Sequence, residues 1–238
     1  MLEDSAEMTR HDAAPTRRAR GSLSAQKIVD GAFEFADAHT VEGISMPKLA
    51  RHLDVGVTSI YWYFKSKEEL LDALTTEAMK RFYELLPTFT DLSWDLALLE
   101  HFRSFRHIFQ TNDVLCDLIL LRGAQFHSER SMASWRPRQE EYMASMTKDG
   151  FSPRAAADAY FGLSVYTRGA IIIERLLLLG DHPRPYPFTI EDASMISVET
   201  YPNTHAAALE HSFTGVNDDE FDRGLVAFIN GIRTTKHA

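Results

Sequence analysis

Residues 57–74 read VTSIYWYFKSKEELLDAL, with Ile60, Tyr61, Trp62, Tyr63 and Phe64 in succession. A single helix cannot turn five consecutive large side chains into one core, because successive residues point about 100° apart around its axis. Some of them must face outward, and large aromatics facing outward mark a surface that touches something. KSKEEL follows at once. Its Ser66 can cap a new helix, and Glu68 and Glu69 suit the N-terminal end of that helix's dipole. A short helix with exposed aromatics, set directly before a well-capped longer one, leaves few folds open.

The segments on either side keep a helical period throughout. Ser24 is a capping residue, with Leu23 placed to pack on Ile28, and the stripe Ile28, Ala32, Phe35 runs to about residue 38. A second helix starts at Ser45, with Pro47 in its first turn, and its apolar face of Leu49, Ala50 and Leu53 ends before DVG. A third spans 57–64, and a fourth, KEELLDALTTEAMKRFYELL, is stopped by Pro87. Trp94, Leu98, Phe102, Phe105 and Phe109 form one face of a helix over 91–110, VLCDLILL a short one, and 134–148 another closed by Gly150. Ser152-Pro153 opens a helix reaching Gly180, about 40 Å at 1.5 Å per residue. DHPRPYPF reads as a loop, 201–213 as a helix and DDEFDRGLVAFINGIR as a final amphipathic one. No segment alternates as a strand does, so the fold class is all-α.

Charge divides the chain in two. The net charge is −9, yet residues 17–67 hold eight basic side chains against five acidic ones, leaving about −12 for the rest. The single cysteine, Cys116, excludes a disulfide framework and a multi-cysteine zinc site. His205 and His211, six apart, fall on different helix faces, so no metal or other cofactor is expected. The first twenty residues carry no apolar stretch, and AIIIERLLLLG is short and interrupted by Glu174 and Arg175. The expected location is cytoplasmic, with no membrane partner.

Three short helices, the second and third joined by a tight turn, have the spacing of a helix-turn-helix. The small Ala50 suits the close crossing, while Leu49, Leu53, Val55, Ile60 and Tyr63 can fill the core. That leaves Thr58, Ser59, Tyr61 and Trp62 on another side, where hydroxyls and apolar atoms can meet base edges in a major groove. Lys65 and Lys67 add phosphate contacts. ISMPKLARHLDVGVTSIYWYFKSKEELLDAL, preceded by LSAQKIVDGAFEFADA, resembles the DNA-binding domain of the tetracycline repressor (TetR) family. YTRGAIIIE and FDRGLVAFINGIR resemble the tetracycline-repressor-type C-terminal domain. The resemblance adds a phosphate role for Ser45, and Lys48 and Tyr63 complete the expected DNA-contact set. It departs from the family at Asp54 and His39, where glycines are usual, and at Tyr63, where histidine is common.

The resemblance implies a homodimeric, ligand-responsive repressor of a double-stranded palindromic operator, released by a small hydrophobic or aromatic effector. Its parts would be a flexible arm over 1–21, a DNA-binding domain over 22–70 and an effector-binding and dimerisation domain over 71–238. Arg17, Arg18 and Arg20 of the arm either follow a DNA groove or stay solvated. The effector set is Trp94, Phe102, Phe105, Phe109, Trp135, Tyr142, Phe161 and Tyr166, with His101, Arg106 and Arg168 as polar anchors. The same aromatic stripe would serve equally as core. Gly162 and Gly169, seven apart, allow close helix approach between subunits or within one. Leu225, Phe228 and Ile232 are expected to help close the dimer. Two alternatives stay open: a DNA-binding regulator without an effector, and an all-α enzyme with an incidental helix-turn-helix. For the enzyme the sequence offers no nucleophile–base spacing, metal motif or phosphate loop.

Overall fold

Four serines start four helices. Each side-chain oxygen accepts a main-chain N–H three residues on: Ser24 from Lys27 at 3.2 Å, Ser45 from Lys48 at 3.4 Å, Ser66 from Glu69 at 3.1 Å and Ser152 from Ala155 at 3.1 Å. The computed structural model describes residues 23–89, 91–122, 129–180, 194, 196–210 and 217–234, without the side chains of 129–135 and 210. The expected arm, the Trp135 side chain, DHPRPYPF and His211 therefore lie outside the described residues.

Ten α-helices are present among the described residues: α1 (Ala25–His39), α2 (Met46–His52), α3 (Val57–Tyr63), α4 (Lys67–Leu85), α5 (Trp94–Gln110), α6 (Asp113–Cys116), α7 (Glu129–Lys148), α8 (Pro153–Leu179), α9 (Pro202–Glu210) and α10 (Asp218–Thr234). No described helix is long and apolar enough to cross a membrane. The boundaries differ from the sequence reading in places: α5 begins three residues later, at Trp94. α7 begins five residues earlier and carries Pro137 inside it. VLCDLILL is not one regular helix, since α6 runs into a π-helical turn, Asp117–Leu121.

The turn between α2 and α3 explains how Asp54 is tolerated. Its φ is 54°, the Asp54 N–H reaches the Arg51 carbonyl, and the Val55 N–H reaches the Ala50 carbonyl at 3.0 Å. This pair of bonds is a Schellman closure with aspartate at the left-handed position usually held by glycine. His39 behaves otherwise. It stays helical as the last residue of α1, and the positive φ of 64° falls on Thr40.

Two apolar clusters fill the molecule. The first joins α1–α4 to the far half of α5, to α6 and its π turn, and to Ile171 of α8. The second joins the near half of α5 to α7, α8 and α10. α4 thus shares one core with the helix-turn-helix and with the helices beyond it. The stripe Phe221, Leu225, Ile229, Ile232 turns α10 onto α5 and α8. Leu225 and Ile232, expected at a dimer seam, are buried in the protomer's own core, and only Phe228 of that trio is exposed. The reason is periodic: Phe221, Leu225, Ile229 and Ile232 recur every three or four residues as one stripe, and Phe228 lies beside it. Gly162 meets Phe228 of the same protomer, where a Cβ would come within 2.8 Å of the ring, whereas Gly169 faces open space.

Candidate functional site

α3 is held to the domain by Ile60, fully buried, by Phe64 at its end, and by Tyr63, whose hydroxyl donates to the Leu23 carbonyl at 2.7 Å. These contacts fix which side of the helix faces away. Thr58, Ser59, Tyr61 and Trp62 all face solvent, Trp62 at 71% exposure. The Trp62 ring rests edge-on against Tyr63 with centroids 4.7 Å apart, so its orientation is set from below. Tyr63, included in the expected contact set, points back toward α1 instead. Lys65, on the surface, folds back over the end of α3, its ammonium donating to the Tyr61 and Trp62 carbonyls at 3.3 and 3.1 Å. There it neutralises the negative end of α3.

Two lysines far apart in sequence meet at one loop. Lys48 Nζ donates to the Gly43 carbonyl at 3.4 Å, and Lys67 Nζ lies 3.5 Å from the Glu42 carbonyl. Ser45, two residues beyond Gly43, caps α2. The domain thus carries a row of outward hydroxyls and aromatics on α3 and two ammonium groups gathered on the loop that leads into α2. Such a surface suits a polyanion with readable edges, because cations position the backbone and neutral side chains touch the bases.

A second site lies among α4, α5, α7 and α8. His101, Phe102 and Phe105 of α5 meet Tyr142 of α7 and Tyr160 of α8, with His101 4.6 Å from Tyr142 and Phe102 5.5 Å from Tyr160 between ring centroids. Arg168 stands 5.2 Å from the Phe105 ring centroid. His101 is 1% exposed, and burial, helped by the Arg138 charge, lowers its pKa to about 3, so the ring is neutral. Its Nε2 lies 3.4 Å from the Tyr160 hydroxyl, while its Nδ1, the Tyr142 hydroxyl and the Thr167 hydroxyl are buried with no hydrogen-bond partner among the described residues. Such atoms are rare in a finished core, where nearly all buried polar groups are satisfied. Tyr83, Arg138, Tyr160 and Thr167 were not picked out by the sequence. Tyr160 sits beside Phe161, which was, and periodicity alone could not decide between the two.

Other expected effector residues lie elsewhere. Phe161 points outward at 50% exposure. Tyr166 knits α8 to α10, its hydroxyl donating to the Phe221 carbonyl at 3.0 Å. Trp94 closes the opposite end of the bundle, on Phe151 and with its Nε1 donating to Asp149 at 2.9 Å. Arg106 and Phe109 line a separate open cleft of about 800 Å³ between α5, α8 and the start of α10. Polar groups in that cleft already answer one another. Arg106 binds Glu174 and Asp218, and Arg175 binds Asp117 through two bonds of 2.7 Å and Asp113 at 2.6 Å. Among the described residues, the buried polar atoms without a hydrogen-bond partner are those of His101, Tyr142 and Thr167.

Residues 28–74 match the profile described as "Bacterial regulatory proteins, tetR family". The chain is 36% identical over 215 residues to the HTH-type transcriptional repressor Rv1353c of Mycobacterium tuberculosis, covering 90% of this chain and 82% of that one. It is 26% identical to the class D tetracycline repressor protein of Escherichia coli, covering 88% of each. In structure it is similar to the Streptomyces coelicolor protein ActR in complex with actinorhodin, with a TM-score of 0.68 at 21% identity, over 92% of this chain and 100% of that one. That last likeness concerns the fold. An outward α3 flanked by lysines, on a helix-turn-helix inside an all-helical chain, and a relative this similar along nearly the whole length lead to one identification: the chain belongs to the TetR family of bacterial transcriptional regulators and is not an enzyme.

Proposed function

We propose that the protein is a repressor that binds a palindromic operator as a homodimer and leaves it when a small hydrophobic or aromatic effector binds. The observation that carries the DNA reading is the outward set Thr58, Ser59, Tyr61 and Trp62 on α3, with Lys48 and Lys67 converging beside Ser45. In this reading α3 enters the major groove, its hydroxyls and the Trp62 edge meet bases, and the lysines take flanking phosphates. Repression is supported by the M. tuberculosis relative, itself a transcriptional repressor.

Dimerisation is supported by an apolar stripe along the outside of α8. Phe161, Val165, Ile172, Leu176 and Leu179 recur on one face, with Gly169 open among them, and Phe228 of α10 lies beside Gly162. An exposed stripe of this kind is covered in most stable proteins. Paired with its mate it forms a four-helix seam of α8 and α10 from two subunits. Val165→Arg would bury an unpaired charge there and yield monomers in sedimentation.

The effector reading rests on the His101–Tyr142–Tyr160 cluster, and α4 is its route to DNA. α4 follows α3 after Phe64, Lys65 and Ser66, while its far end contributes Tyr83 to the cluster's edge. A ligand that favours one tilt of α4 changes the separation of the two α3 helices. A coupling of about 1–3 kcal/mol would lower operator affinity roughly five- to 150-fold.

The test is selection of duplexes from a random pool by the full chain. We expect an inverted repeat with half-site centres about one or one and a half helical turns apart. Affinity should fall steeply between about 50 and 200 mM salt. A non-palindromic motif, or binding indifferent to salt, would contradict the reading.

A further inference from the structure

Three guanidinium groups lie within the helical bundle, Arg106 and Arg175 buried and Arg168 partly so, and the first two have acids. Arg106 holds Glu174 and Asp218, and Arg175 holds Asp117 and Asp113. Arg168 is the third. Its Nε donates to the Ser164 hydroxyl at 3.2 Å and its Cζ stands 5.2 Å from the Phe105 ring centroid. No carboxylate among the described residues reaches it; its titratable neighbours are the Tyr83 and Tyr160 phenols. Burial lowers its pKa, and the same burial raises the pKa of Tyr83, Tyr142 and Tyr160, the last to about 12. The phenols are therefore neutral, as is His101. Arg138, facing the same cluster from α7, spends its donors on main-chain carbonyls of Tyr83, Leu86 and Pro87. Among the described residues the cluster thus combines two cations, no anion and a set of ring faces.

A buried cation without a counter-charge is costly, and proteins avoid it unless something supplies the charge. Phe102, Phe105, Tyr142 and Tyr160 gather ring faces there, and the His101 Nδ1 and Tyr142 hydroxyl are buried in the same cluster with no hydrogen-bond partner among the described residues. We propose that the effector is an acidic aromatic molecule, whose carboxylate or ionised hydroxyl pairs with Arg168 while a neutral polar substituent meets His101 and Tyr142. This rests on the reading of the His101 cluster as the effector site. The anion completes a pair that the protein leaves half built, and the rings stack on the ligand's body.

The experiment uses the full chain and two probe acids, 1-hydroxy-2-naphthoate and anthracene-2-carboxylate, each beside its methyl ester, in isothermal titration. The acids should bind about ten-fold or more tightly than the esters, the scale of one charge-assisted pair. Arg168→Gln should erase that preference and Arg168→Lys retain part of it. Without ligand, Arg168→Gln should melt no lower than the parent, since it removes a charge that no described carboxylate balances and keeps a side-chain donor for Ser164. Esters binding as tightly as acids would overturn the anion assignment while leaving the pocket reading intact. A large drop in the ligand-free melting temperature of Arg168→Gln would also overturn it, by making Arg168 a structural residue. Silence from acids and esters alike would defeat both readings. An acid that binds through Arg168 yet leaves operator affinity unchanged would support the anion site and contradict the effector role.

Discussion

The Arg138 guanidinium of α7 donates from Nη2 to the main-chain carbonyl of Tyr83, 3.0 Å away in the last turn of α4. Its other terminal nitrogen reaches the carbonyls of Leu86 and Pro87 just beyond. A cation there answers the negative end of the α4 dipole and satisfies carbonyls that the helix leaves unpaired. The Tyr83 ring enters the Arg168 surroundings from the same turn. One residue of α7 therefore fixes the end of the helix whose start lies beside the DNA-facing α3.

Arg138→Gln should loosen that hold. We expect the ratio of operator affinities without and with a saturating effector to fall toward one, because the two tilts of α4 lose part of their energetic difference. Titration of operator in both conditions measures it. An unchanged ratio would place the coupling elsewhere.

His101 should impose a pH dependence on folding. In the unfolded chain it takes a proton near pH 6.5, whereas in the folded chain it stays neutral down to about pH 3. Its contribution is therefore full above about pH 6.5 and is lost as the pH falls toward 3, by up to about 1.4 kcal/mol per pH unit. Urea unfolding of the parent and of His101→Gln across pH 7 to 4 should show a shallower slope in the variant. Parallel slopes would mean that the ring is accessible to protons.

Thr40 carries φ 64° and ψ 161°, a region open to glycine and strained for a β-branched residue. Thr40→Gly should raise stability by about 1 kcal/mol, after allowing for glycine's greater freedom when unfolded. The denaturation midpoint should rise at constant slope. A fall in the midpoint would show that Thr40 is relaxed there.

Local signals made much of this fold legible. Ser24, Ser45, Ser66 and Ser152 announced four helix starts, and the aromatic run marked α3, because capping and helical period act over three or four residues. What covers an apolar stripe is not local information. Leu225 and Ile232 advertised a buried face, but their sequence could not say that the cover is α5 and α8 of the same protomer. Phe161 and Tyr160 are adjacent, and only the packing of α8 sends one outward and the other into the cluster. Arg138 gave no signal at all, since its partners are backbone carbonyls some fifty residues away. Thr40 was hidden for a different reason: the helix kept His39 and passed the positive φ one residue along.

The central claim is that α3 reads DNA while the lysines beside Ser45 position it. The most direct measurement compares Thr58→Ala, Trp62→Ala and Lys67→Ala on the selected operator and on a scrambled duplex of the same composition. Thr58→Ala or Trp62→Ala should cost about 1–3 kcal/mol on the operator and little on the scrambled duplex. Lys67→Ala should weaken both duplexes alike and reduce the salt slope by about 1. Equal losses from all three variants on both duplexes would contradict the account.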